Sequence, residues 1–264
     1  MNLACSNTDK KNNLGIGGKA KNLVNLEEIG AKVPSWVVIP QEVLLEQISK
    51  DIEDNQIKNA FSNLNVPKET MEQLELFFGD NFQSCSYAVR SSAIDEDGDQ
   101  FSFAGQFDTF LHVPHYDIEN KIKAIWQSAV SEQVIKYREQ NNLPLQFGIG
   151  VIIQKMIDAD VAGVAFGIDP ITGDQTTKVI SAVYGLGEGL VSGDLDADTF
   201  TVTENDIDSQ VVSKNHKYVR DFDKGGIKKV ETEDSKKEIP SLTEKEVHEI
   251  SELLNQLNQQ LDHL

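Results

Sequence analysis

An α-rich first part joined to a β-rich second part, an α+β chain in two pieces, is what the sequence predicts. Helical spacing of apolar residues runs through 17–30, 41–53, 56–64, 68–78 and 117–140. From residue 148 onward the texture changes to short β runs at 148–157, 161–168, 176–184, 198–203 and 209–213. Asp-Pro, Thr-Gly-Asp and Gly-Leu-Gly-Glu-Gly turns separate those runs. The expected division is 1–153 and 154–264.

Each element has a local reason. Gly17-Gly18 opens a segment with Leu23, Leu26 and Ile29 on one helical face, and Gly30 closes it as a cap. Val33-Pro34-Ser35 leads into the β-rich run Trp36 to Ile39. Ser86 to Ser91 reads as a buried strand, followed by a polar, acidic stretch from Ser92 to Gly105 and a second strand from Phe107 to Val113. A loop that long inside a compact region is usually functional, and a mobile lid over 92–105 is the expectation. Ile118, Ile122, Ile125, Val130 and Val134 predict one long amphipathic helix over 117–140. A last helix starts at Thr243 with Glu246 three positions on, the spacing of a capping box, and continues through Val247, Ile250, Leu253 and Leu254. Leu261 and Leu264 keep it apolar to the end, which predicts that further chain follows.

Composition narrows the class. Hydrophobic residues at 39% and charged ones at 25% describe a globular chain, not a disordered or fibrous one. No stretch approaches the roughly 18 apolar residues of a membrane span, and the polar first residues lack a signal-peptide core, so a soluble, cytoplasmic protein is expected. Cys5 and Cys85 imply no disulfide framework. Lys and Arg total 24 against 43 Asp and Glu, a net charge of -19 that argues against a nucleic-acid surface. An anionic ligand must therefore be held by local positive groups.

Several familiar motifs fail. Gly15 to Ala20 fits a permissive dinucleotide fingerprint, but no strand precedes it. The Walker pattern breaks at Asn13 and at Ala20. The Asp95-Asp97-Asp99 and Asp194-Asp196-Asp198 clusters have Gln100 and Thr199 where an EF-hand needs glycine, and neither reaches its Glu.

Other segments suit phosphate chemistry. Gly17-Gly18-Lys19 at a helix start offers backbone N–H groups, the positive end of the helix dipole and a lysine; a plain turn with a solvated lysine is the alternative. Arg90 at a strand end beside Ser91-Ser92 suits phosphate or carboxylate, unless it pairs with Asp95, Glu96 or Asp97. The small residues of Ser102-Phe103-Ala104-Gly105 could close over phosphates, or Phe101 and Phe103 could be pinned core residues. Val151 to Ile157 turns from apolar to polar at Gln154-Lys155, where a purine could lie on Met156 and Ile157; a core strand is the other reading.

Taken in order, the blocks GGKAKNL, VPSWVVIP, YAVRSSAIDED, SFAGQFDTFL, VIIQKMI, AGVAFGIDPITGD and YGLGEGLVSG resemble the N-terminal ATP-grasp region of phosphoenolpyruvate synthases, pyruvate phosphate dikinases and rifampin phosphotransferases. The resemblance covers about 14–203. It implies an ATP-grasp fold of two subdomains with the nucleotide cleft between them. Lys19 and Arg90 would contact ATP phosphates as the catalytic cations, helped by Gly17 and Gly18. Ser102, Ala104 and Gly105 would cover the phosphates, and Gln154, Lys155, Met156 and Ile157 would form the adenine hinge. Glu188, in the GLGE segment, falls near the nucleotide. Ala20 replaces the usual glycine, and the acidic run Asp95 to Asp99 is more charged than the pattern.

The family's magnesium carboxylate belongs to an Asp-Ile-Glu type segment beyond Leu264, so Mg2+ is expected with ligands outside this chain. None of His112, His115, His216, His248 and His263 has the Thr-x-His context of the family's phosphorylated histidine. The partners implied are a phosphohistidine domain and a pyruvate-binding domain, with no nucleic acid and no membrane. The resemblance implies transfer from ATP to that histidine and then to pyruvate. A rifampin or glucan phosphotransferase, or a stand-alone nucleotide-binding module, would share these residues.

Overall fold

The computed structural model describes residues 3, 14–48, 54–93, 97–98, 101–102, 108–141 and 148–261. The chain divides into two compact units, Met1–Met156 and Ile157–Leu264. The division falls after Met156 and not after residue 153, because the last strand of the first unit runs on to Lys155.

In the first unit, helix α1 (Gly18–Glu28) is followed by strand β1 (Trp36–Ile39) and helices α2 (Gln41–Leu45), α3 (Asp54–Ser62) and α4 (Lys68–Phe78). Strand β2 (Ser86–Ala93), the two-residue strands β3 (Asp97–Gly98) and β4 (Phe101–Ser102), and strand β5 (Thr109–Pro114) come next. Helices α5 (Ile118–Ser128) and α6 (Glu132–Gln140) and strand β6 (Ile149–Lys155) complete it. The main sheet is antiparallel with order β1-β6-β2-β5.

Strand parity sorts this sheet into two cores. Val37, Ile39, Tyr87, Val89, Val151 and Ile153 face a large core shared with Leu44, Phe61, Leu74, Ile122 and Trp126 of the helices. The opposite face presents Trp36, Val38 and Ile152 to Ile16, Ala20 and Val24 of α1 and the turn before it. Helix α1 closes with Gly30 at φ 79: its amide donates to Glu27 O, and the Ala31 amide donates to Leu26 O. That is the paired bonding of a Schellman cap.

Three expectations change here. The predicted helix over 117–140 is two helices, because Ser131 takes extended backbone and its side chain accepts the Val134 N–H, starting a new helix. The predicted helix over 41–53 ends at Leu45. The expected lid cannot start at Ser92, since Ser92 and Ala93 continue β2 against Gly150 and Ile149. Of the rest, 97–98 pair with 101–102, and residues 94–96, 99–100 and 103–107 lie outside the described residues.

The second unit holds strands β7 (Val161–Phe166) and β8 (Lys178–Tyr184), the short helix α7 (Glu188–Val191) and strands β9 (Asp198–Val202) and β10 (Ile207–Gln210). Strands β11 (His216–Arg220) and β12 (Ile227–Glu231) and helix α8 (Glu244–Leu261) follow. Its sheet, ordered β10-β9-β8-β7, packs Ile180, Ala182, Phe200 and Val202 against Val247 and Ile250 of α8. The capping box forms: Thr243 N–H donates to Glu246 Oε2 (2.8 Å) and Glu246 N–H donates to Thr243 Oγ1 (3.3 Å). The hairpin β11-β12 escapes the sequence reading, because its alternation of His, Lys, Tyr, Val and Arg carries little apolar signal.

At the centre of this unit lies a buried ion pair. Lys214 Nζ donates to Asp198 Oδ1 (2.8 Å) with both side chains at 2% or less exposure. The same oxygen accepts the Val212 N–H (3.0 Å), and Oδ2 accepts the Ser241 N–H (2.7 Å). Burial raises the Asp198 pKa, but the bonds from Lys214, Val212 and Ser241 outweigh it and hold the carboxyl below its ordinary value. Asp198 thus ties β9 to two later segments, a structural role for a residue of the Asp cluster that fails the EF-hand pattern.

Candidate functional site

In the first unit four of the predicted phosphate residues, Gly17, Gly18, Lys19 and Arg90, lie on the start of α1 and on β2, the strand it is bonded to. Gly17 is the N-cap of α1 with φ 78, and a Cβ there would lie 2.1 Å from the Ser92 carbonyl oxygen. Only glycine permits both that backbone and that approach. Gly150, opposite Ser92 in the register, keeps the neighbouring strand equally bare: its Cβ would come within 2.9 Å of the Ile16 carbonyl. The turn at 14–16 and the start of α1 therefore rest directly on β2 and β6. A glycine inside the β-branched run Ile149 to Ile153 is the signal that could have found Gly150.

Gly18 and Lys19 are half-buried first-turn residues, whose amides have no acceptor within the helix. The next amide, Ala20, donates to Ser92 Oγ (3.1 Å). Lys19 Nζ donates to Ser91 Oγ in a long contact of 3.4 Å. Arg90, two residues before Ser92 and on the same sheet face, donates from Nη1 to Gln154 Oε1 (3.3 Å), and Gln154 Nε2 donates to Pro34 O (3.4 Å). At the far side of α1, Trp36 Nε1 donates to Glu27 Oε1 (2.9 Å). A lysine, an arginine and a helix N-terminus are thereby carried on bonded elements of one unit, a donor set suited to a polyphosphate.

The residues predicted to form the hinge divide by role. The Gln154 side chain is buried against Arg90. The Lys155 N–H donates to Ser35 O and the Met156 N–H to Ser86 O, both at 2.9 Å, so those amides already serve the fold. Met156 is half-buried, and Ile157, the first residue of the second unit, is 56% exposed. Ser102 sits on β4 opposite Asp97, while Ala104 and Gly105 lie outside the described residues.

Glu188 is in the second unit, exposed at the start of α7. The glycines around it have structural reasons. Gly185, at φ 74, would place a Cβ 2.2 Å from Tyr218 O, and Leu186 N–H donates to that oxygen (2.9 Å). At Gly189 a Cβ would meet Leu195 Cδ1 at 2.5 Å. Tyr218 Oη and Lys229 Nζ both donate to Asp194 Oδ2 at 2.8 Å, which lowers the Asp194 pKa.

Among the described residues no group of three or more His, Cys, Asp or Glu could hold a metal ion. No helix among them is long and apolar enough to cross a membrane.

The sequence profile of the pyruvate phosphate dikinase AMP/ATP-binding domain matches residues 14–264. The chain belongs to that family. Its nucleotide-binding fold is the ATP-grasp type, realised here as a mixed α/β structure with antiparallel sheets. The prodigiosin synthesizing transferase PigC of Serratia marcescens is 33% identical over 91% of this chain and 28% of its own length. A rifampicin phosphotransferase of Bacillus cereus is 30% identical over 92% of this chain and 31% of its own length. A probable phosphoenolpyruvate synthase of Methanocaldococcus jannaschii is 36% identical over 63% of this chain and 14% of its own length. The chain thus spans less than a third of each of these relatives.

Proposed function

We propose that Lys19 and Arg90 grip the polyphosphate of ATP, and that the chain is the nucleotide-binding module of a phosphotransferase. In that reading ATP gives its two terminal phosphates as a pyrophosphoryl group to a histidine on another domain and AMP leaves; water then takes the outer phosphoryl group as inorganic phosphate, and the one left on the histidine passes on to pyruvate. What supports it is the bonding of the two cation-bearing elements to each other, the first turn of α1 to β2 through Ala20 and Ser92, with Arg90 oriented by Gln154. Phosphoryl transfer needs mainly positioning and charge neutralisation, which such an arrangement supplies. Pairing with adenine falls to the Ile157 N–H and the hinge carbonyls, since the Lys155 and Met156 amides are engaged. Ser102 to Gly105 would cover the phosphates. Magnesium would accompany the nucleotide, its ligands lying beyond this chain.

A second reading keeps the same nucleotide chemistry and replaces pyruvate by an antibiotic. The Bacillus cereus relative, aligned over 92% of the chain, favours it.

Two measurements test the nucleotide reading. Affinity should climb from adenosine through AMP and ADP to ATP; a chain that binds all four alike would refute the phosphate grip. Purified chain with ATP and pyruvate should form no phosphoenolpyruvate, and sustained pyruvate-dependent AMP release would show that the acceptor groups lie within these residues. For the cover, the Ser102 amide should exchange more slowly with ATP plus magnesium and at an unchanged rate with adenosine. Equal protection in all three states would remove it from the phosphate site.

A further inference from the structure

We propose that Ser92 is the positioning residue of the phosphate grip: its hydroxyl sets the first turn of α1, and so Lys19, relative to Arg90. The inference rests on the phosphate reading above. A helix usually caps itself with a side chain from its own N-cap position. Here that position must be glycine, for its φ of 78 and for the Ser92 carbonyl oxygen 2.1 Å from where a Cβ would stand. The capping oxygen is supplied instead from β2, across 72 residues of sequence, by Ser92 Oγ to the Ala20 N–H at 3.1 Å. Ser92 is fully buried and sits two residues from Arg90 on the same strand.

The arrangement makes one hydroxyl the joint between two cation-bearing elements. Ser92 touches α1 on both sides of Lys19, through its carbonyl at Gly17 and its hydroxyl at Ala20. Without that oxygen the Ala20 amide loses its acceptor, and the turn carrying the Gly18 and Lys19 amides can rotate over β2. Ser91 differs, because its hydroxyl accepts from the Lys19 side chain, at 3.4 Å, and not from the helix backbone.

The test uses Ser92→Ala, Ser92→Thr and, as a comparison, Ser91→Ala, each followed by amide exchange at Ala20, thermal unfolding, and titration with ATP and with adenosine. In Ser92→Ala the Ala20 amide should exchange at least about tenfold faster, and ATP should weaken about tenfold with adenosine within about twofold. Ser92→Thr, which keeps the oxygen, should restore both, and Ser91→Ala should leave Ala20 exchange unchanged. Unchanged Ala20 protection in Ser92→Ala overturns the joint, as does equal weakening of ATP and adenosine. If Ser92→Ala does not fold, Ser92→Thr decides alone: a near wild-type ratio of ATP to adenosine affinity supports the role, and a collapsed ratio with Ala20 still protected overturns it. Wild-type chain that fails to prefer ATP over adenosine overturns the phosphate reading itself, whatever the Ala20 amide does.

Discussion

Arg90→Ala should weaken ATP by about tenfold to a hundredfold while leaving adenosine within about twofold, and Lys19→Ala should do the same. Both side chains are assigned to phosphates, and adenosine has none. The size follows from losing a charge-assisted hydrogen bond in a half-buried setting. Arg90 should show the larger effect. Its guanidinium, oriented by Gln154 at 3.3 Å, can engage a phosphate through two N–H groups at once, where Lys19 offers a single ammonium. Calorimetric titration of both ligands against both variants gives the answer. Parallel losses of ATP and adenosine would mean that the substitutions disturb the sheet and not a phosphate contact.

Asp198→Asn should destabilise the second unit by about 3–5 kcal/mol, because it leaves the Lys214 ammonium buried without its carboxylate. Asparagine can keep one acceptor for Val212 or Ser241, but its amide nitrogen cannot accept from the other. The expected loss is local. Both tryptophans, Trp36 and Trp126, belong to the first unit, so their fluorescence should follow an unshifted urea transition. Amide exchange in β8 and β9 should accelerate. A second unit as stable as wild type would contradict the assigned hub. Acid should imitate the substitution. The folded carboxyl titrates below its unfolded value, so its contribution is complete above the unfolded pKa of about 3.9 and disappears as pH falls through the folded one. Asp198→Asn should remove that part of the acid sensitivity of the second unit.

What the sequence discloses depends on whether the determining interaction is local. The span of α1, its glycine closure and the Thr243–Glu246 box are readable because each rests on partners within a few residues. Strand β2 is readable because its apolar residues alternate or run together. The break at 129–131 is harder, since apolar spacing continues across it while Ser131 starts a new helix. The hairpin at 216–231 is invisible to hydrophobic patterning, because its exposed strands need no apolar face. At the candidate site, Lys19, Arg90 and the glycines stand out by residue type next to recognisable elements. The pairing of Ser92 with Ala20, the engagement of Gln154 with Arg90 and the use of the Lys155 and Met156 amides by Ser35 and Ser86 join residues dozens of positions apart. No window of sequence contains them.

The register of β2 against β6 has a consequence for insertions. Val89 and Arg90 are neighbours sent to opposite faces, the first into the large core opposite Ile153, the second toward α1 opposite Ile152. One extra residue placed between Ser86 and Val89 would trade their addresses, swinging the guanidinium into a dry interior and a valine into its place. Two extra residues would keep parity yet carry Arg90 two pairs along the ladder, to a place opposite Gly150 and away from Gln154. Length in this strand is therefore held to a single value by the side facing α1 as firmly as by the core, and natural variation should gather in the turns beyond its ends.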